Sequence, residues 1–172
     1  MPTLLPPPAS AIHSSLPEVH YLDAYCVPAP AHADATAVAH ALFQQSPAWV
    51  SALMRLRNAV ARRLGLRSTA DHATGGPTPR QPGDWQGPFE IFAATPAEVV
   101  LGLNDRHLDF RVSVRMEPGV GMATAWVSTA VQFHNGFGRL YFALIRPFHG
   151  LVVRALLRAA RARLAALPRH TG

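Results

Sequence analysis

The sequence predicts an α+β domain in which a curved antiparallel sheet wraps around a long C-terminal helix, with two short helices after the first strand. Three observations carry this. Four segments between Phe89 and His134 alternate apolar and polar residues and are joined by short turn-like linkers, as in a meander. From Phe137 to about Leu167 the apolar spacing becomes helical. Two helical patterns separate a first strand, "VHYLDAYCV" (Val19–Val27), from the other four.

Taken in order, residues 1–18 are rich in Pro and Ser, lack periodicity and read as a disordered or loosely attached arm ahead of a single domain over 19–167. In the first strand Tyr21, Tyr25 and Val27 alternate. Asp34 is placed to cap a short helix carrying Val38 and Leu42 on one face. Ser46-Pro47 starts a second helix, with Trp49, Leu53, Leu56, Val60 and Leu64 on its apolar side and Ser51, Arg55, Asn58 and Arg62 opposite. Gly65 closes it. Residues 66–88 hold Gly-Gly, Gly-Asp and repeated Pro, the signals of a long flexible loop and a candidate lid.

The strands that follow are "FEIFAAT" (Phe89–Thr95), "EVVLGL" (Glu98–Leu103), "HLDFRVSVRM" (His107–Met116) and "MATAWVSTAVQFH" (Met122–His134). In the last helix Tyr141, Ile145, His149, Val152 and Leu156 share the face expected to meet the sheet, flanked by Leu140, Leu144, Phe148 and Leu151. Arg139, Arg146, Arg154 and Arg161 gather on the other side. Pro147 lacks an amide proton, which predicts a kink or break near Ile145. Pro168 ends the helix and leaves a tail over 168–172.

Composition narrows the function classes. The 172 residues are 49% hydrophobic and 15% charged, enough for one sizeable core. The single cysteine, Cys26, forbids an intrachain disulfide and fits a reducing compartment. The net charge of +6 comes from arginines spread along helices rather than clustered, so no nucleic-acid partner is expected. The Pro-broken N-terminus has no secretory pattern, and the greasiest window contains Arg146 and Arg154, which argues against a membrane span. The expected location is the cytoplasm.

Chemistry-bearing residues are few. His107 and Asp109, with His134 or His149, match a His-x-Asp…His iron triad in order. Nine histidines make such a match easy by chance, so no metal and no cofactor is expected. The alternation instead puts Leu108, Phe110, Val112, Val114 and Met116 on a dry face. His107, Asp109, Arg111, Ser113 and Arg115 then face water or another subunit, which leaves room for a homodimer. His149 is the most informative polar group on the inward face of the last helix, beside Tyr141, and a buried imidazole needs a partner.

The block "LGLNDRHLDFRVSVRMEPG", with "VSTAVQFHNGFGRLYFALIRPFHGLVVRALLRAA" after it, resembles domain-of-unknown-function family 2867, most closely at His107–Arg115 and His134–His149. The element order is also similar to the helix-grip plan of pollen-allergen-like, polyketide-cyclase-like and START-like proteins. That resemblance implies a small hydrophobic or amphipathic ligand held between sheet and helix. The residues expected to line a cavity of roughly 300–1,000 Å³ are Phe110, Val112, Val127, Val131, Tyr141, Ile145 and His149. Two alternatives stand beside it: an enzyme using the same cavity with His149 as acid or base, and an interaction module working through its arginine-lined helices.

Overall fold

Short linkers dictate the pairing. The computed structural model describes residues 4–43, 47–53, 55, 81–86 and 89–165. Their elements are β1 (Tyr21–Pro30), α1 (Ala35–Phe43), β2 (Trp85–Gln86), β3 (Phe89–Ala94), β4 (Glu98–Asn104), β5 (Leu108–Glu117), β6 (Met122–Phe133) and α2 (Gly136–Ala165), preceded by a 3₁₀ turn at Ala11–Ser14. The strands form one curved antiparallel sheet in the order β1-β6-β5-β4-β3-β2. β3 to β6 are the expected meander, β1 returns to pair with β6, and the two-residue β2 is the additional strand. Residues 48–53 are helical, the second short helix after β1. The expected continuation of that helix to Gly65, residues 66–80 and 87–88 of the long loop, and the 168–172 tail lie outside the described residues.

The side-chain period of two fixes which residues face the helices. Tyr25, Val127, Val114 and Val99 lie in one row across four strands, and each is nearly or wholly buried. Val38, Ala39 and Leu42 of α1 close over this row together with Leu157, Ala160 and Leu164 from the second half of α2. Asp34 caps α1 as expected, its Oδ1 accepting the Ala37 N–H at 2.7 Å. Asn135 does the same for α2, accepting from Gly138 N–H at 3.1 Å. Gly138 also lets the first turn of α2 sit directly on the sheet: a Cβ there would collide with the His107 carbonyl oxygen.

Three expectations are corrected. α2 continues through Pro147 as a single helix, without the break that a missing N–H alone would suggest. Trp49 is half exposed, while its neighbour Val50 is the buried residue, so the helix after Pro47 is turned by one position from its expected register. The N-terminal arm is attached. Ile12 and Leu16 pack with Ala130, and Leu4 exchanges two backbone hydrogen bonds with Ala24 of β1.

The arm changes the polar face of the sheet as well. Arg111 and Ser113 are buried, whereas water or a partner subunit was expected there. The latch is Glu98 on β4. Its carboxylate accepts from Ser10 Oγ at 2.6 Å, from Ser113 Oγ, from Ala11 N–H at 3.0 Å and from Arg115 Nη1 at 3.0 Å. Burial alone would raise its pKa, but these donors outweigh burial and hold it below the ordinary 4.5. Arg111 lies flat over the Phe92 ring, 3.5 Å from its centroid, and donates to the Leu103 and Phe110 carbonyls and to Asn104.

Candidate functional site

The helix-facing side of β1 carries Tyr21, Asp23, Tyr25, Val27 and Ala29. Four of these suit an apolar interface; Asp23 does not. It is 1% exposed, and a carboxylate this deep requires partners. Tyr21 supplies one, its hydroxyl donating to Asp23 Oδ2 at 2.8 Å. α2 supplies the other: His149 Nε2 lies 3.3 Å from Oδ2 and 3.4 Å from Oδ1. Thr129 on β6, also buried, is the cross-strand neighbour of Asp23.

Aromatic packing fixes these groups. Tyr21 stacks obliquely on Phe142 at 4.7 Å and meets the His149 ring edge-on at 6.0 Å. Arg146 lies over the outer side of the Tyr21 ring at 5.6 Å. Gly150 brings the helix backbone so close that an added Cβ would stand 2.8 Å from the Tyr25 hydroxyl. Burial, followed by the Asp23 hydrogen bond and charge, drives the Tyr21 pKa far above its ordinary 10.0, so the phenol stays protonated and donating. The His149 side chain is 18% exposed, against 1% for Asp23. Tyr21 is also partly exposed, so both partners of the buried carboxylate reach the surface.

The seven residues expected to line a cavity all fall on this sheet–helix interface, but as three pairs with His149 apart from them. Val127 and Val131 flank Thr129 and are the register neighbours of Tyr25 and Tyr21. Phe110 and Val112 lie one strand further in, within the main core. Tyr141 and Ile145 pack with Leu108 and Phe137 in a separate small cluster. Only His149 of the seven touches the carboxylate. Asp23 and Tyr21 were missed, although the alternation of β1 put a carboxylate among inward apolar residues, which was the available signal.

The His-x-Asp…His residues diverge. His134 pairs with Asp109 at 3.1 Å, whereas His107 is engaged by Arg106 and Asn135. Among the described residues no three His, Cys, Asp or Glu side chains converge on one point that could hold a metal. Elsewhere, an open groove of about 620 Å³ lies on the outer side of α2, lined by Pro47, Trp49, Leu151, Ala155, Arg158 and Ala159.

A family model described as "Protein of unknown function (DUF2867)" matches residues 15–156. The chain belongs to this DUF2867 family. The part that matches DUF2867 takes in Tyr21, Asp23, Thr129 and His149 and ends before Leu157, Ala160 and Leu164. A solved structure similar to this DUF2867 chain is that of an uncharacterised protein from Rhizobium leguminosarum, at 13% identity and a TM-score of 0.42, covering 86% of this chain and 97% of that one. No curated protein matches. The architecture is compatible with the helix-grip plan.

Proposed function

We propose that the protein binds a small amphipathic molecule between β1, β6 and the first half of α2, with Asp23 and His149 anchoring its polar end. The observation that supports this reading is the position of Asp23, a buried carboxylate within a largely apolar interface, whose partners His149 and Tyr21 are both partly exposed. Ligand sites combine an apolar lining with a few convergent polar groups, and this cluster has that composition. A carboxylate that already accepts from a phenol has lone pairs left for a donor, so the ligand head would carry a hydroxyl or amine. Val127, Val131, Tyr141 and Ile145 would contact its apolar body, and a reducing, cytoplasmic setting accords with the unpaired Cys26.

Native mass spectrometry of the freshly purified full chain tests this, followed by titration of any co-purifying compound into wild type, Asp23→Asn and His149→Ala. The expected result is one bound molecule per chain and at least about tenfold weaker binding in either variant, the value of one lost buried hydrogen bond. Equal affinity in all three proteins would remove the site.

A second reading, catalysis at the same place, is favoured by one detail. Asp23 engages one ring nitrogen of His149, Nε2, as a carboxylate does when it orients an imidazole for proton transfer. For a substrate so identified, His149→Ala should lower kcat by about 10²–10⁴ with little change in KM.

A further inference from the structure

The outward side of α2 is the least explained surface of the molecule. Leu140, Leu144, Phe148 and Leu151 are 60%, 66%, 51% and 51% exposed, and Trp49 beside them is 50% exposed. At 1.5 Å per residue, the helical row from Leu140 to Leu151 runs about 16 Å. Isolated exposed apolar residues are ordinary, but a continuous row of large ones marks a contact surface.

Charge identifies what would cover it. α2 contains six arginines, at 139, 146, 154, 158, 161 and 163, and no acidic residue. Of these, Arg139, Arg146, Arg158 and Arg161 are exposed. Helical geometry puts Arg154 and Arg161 along one border of the apolar row, and Arg158, in line with it, lines the groove with Trp49 and Leu151, whereas Arg146 lies over the Tyr21 ring and Arg163 donates to the Ala41 carbonyl. A second copy of the chain would oppose the arginines bordering this row with the same set on a helix that has no carboxylate to answer them. A nucleic acid would satisfy the arginines and leave the leucines and Phe148 unused. An anionic bilayer satisfies both, because phosphate headgroups meet the arginines while the apolar row enters the acyl boundary.

By length and composition alone α2 could cross a membrane. Its opposite face is committed to the core through Tyr141, Phe142, Val152, Leu157, Ala160 and Leu164. The helix can therefore lie along a bilayer surface without leaving the sheet.

We infer that the protein docks peripherally on anionic lipid bilayers through the Leu140–Leu144–Phe148–Leu151 row of α2 and Trp49, with the bordering arginines on the headgroups. This surface is separate from the Asp23–His149 cluster and does not depend on the ligand proposal.

Co-sedimentation of the full chain with vesicles tests it, comparing equal parts phosphatidylglycerol and phosphatidylcholine with phosphatidylcholine alone. Binding should be at least about tenfold stronger on the anionic vesicles and should weaken as NaCl rises from about 0.1 to about 0.5 M. Leu144→Ser with Phe148→Ser, and separately Arg158→Gln with Arg161→Gln, should each reduce it about tenfold or more. All four side chains lie on exposed or groove positions, so circular dichroism and the thermal midpoint should match wild type in both variants. Failure to sediment with the anionic vesicles overturns the inference. So does binding that ignores the Leu144/Phe148 change, or a concentration-dependent dimer that this change dissolves.

Discussion

His149 Nε2 sits 3.3 Å from Asp23 Oδ2, a contact between the middle of the last helix and the first strand across 126 positions of sequence. It is a polar link between the first half of α2 and the sheet. His149→Ala and Asp23→Ala should each lower unfolding stability by about 1–3 kcal/mol, with Asp23→Ala the larger because it also strands the Tyr21 hydroxyl. Urea denaturation of both single variants and the double variant measures the coupling, which should be clearly nonzero.

Tyr21 gives the same cluster an alkaline signature. Its folded pKa is raised above the ordinary 10.0, so its contribution to stability is complete below that value and is lost as pH rises beyond it. Ultraviolet difference titration should show Tyr21 ionising only well above 10, and Asp23→Asn should move that step down by removing the carboxylate that opposes it.

Glu98 predicts the opposite limb. Its folded pKa lies below 4.5, so the latch is complete above that pH and is released as pH falls through the lower folded value. Hydrogen exchange at Ile12 should accelerate in that acid window. Glu98→Ala should open the arm at neutral pH and lose about 3 kcal/mol, since it leaves Ser10, Ser113 and Arg115 without their shared acceptor.

Gly138→Ala tests how tightly α2 sits on the sheet. The new methyl would strike the His107 carbonyl oxygen, which belongs to backbone and cannot swing away. A loss of about 1–3 kcal/mol or more is expected in thermal or chemical unfolding. Gly136→Ala, where an added Cβ meets nothing within 4 Å, is the matched control and should leave stability nearly unchanged.

The strands from Phe89 onward were legible because each combines period-two alternation with a turn that leaves a single pairing partner. Observed bounds such as Leu108–Glu117 and Met122–Phe133 differ from the expected ones by a residue. The capping of α1 by Asp34 was legible for the same local reason. The arm was not. Residues 4–18 have no period of their own, and what holds them is a distant glutamate that sequence spacing cannot link to Ser10. Half of the candidate site was likewise visible. His149 stood out on the inward helix face, but its partner depended on β1 pairing with β6, a return across the chain that no local pattern specifies.

The Leu4–Ala24 ladder has a further consequence. β1 is the outermost strand beside β6, and an open flank of that kind invites other chains to add on and seed aggregates. Leu4 occupies its donor and acceptor at Ala24, and Pro28 and Pro30, at the same alternate positions, have no N–H to offer. The N-terminal segment thus serves as a guard against fibril-like growth, and shortening it should cost solubility before it costs the fold.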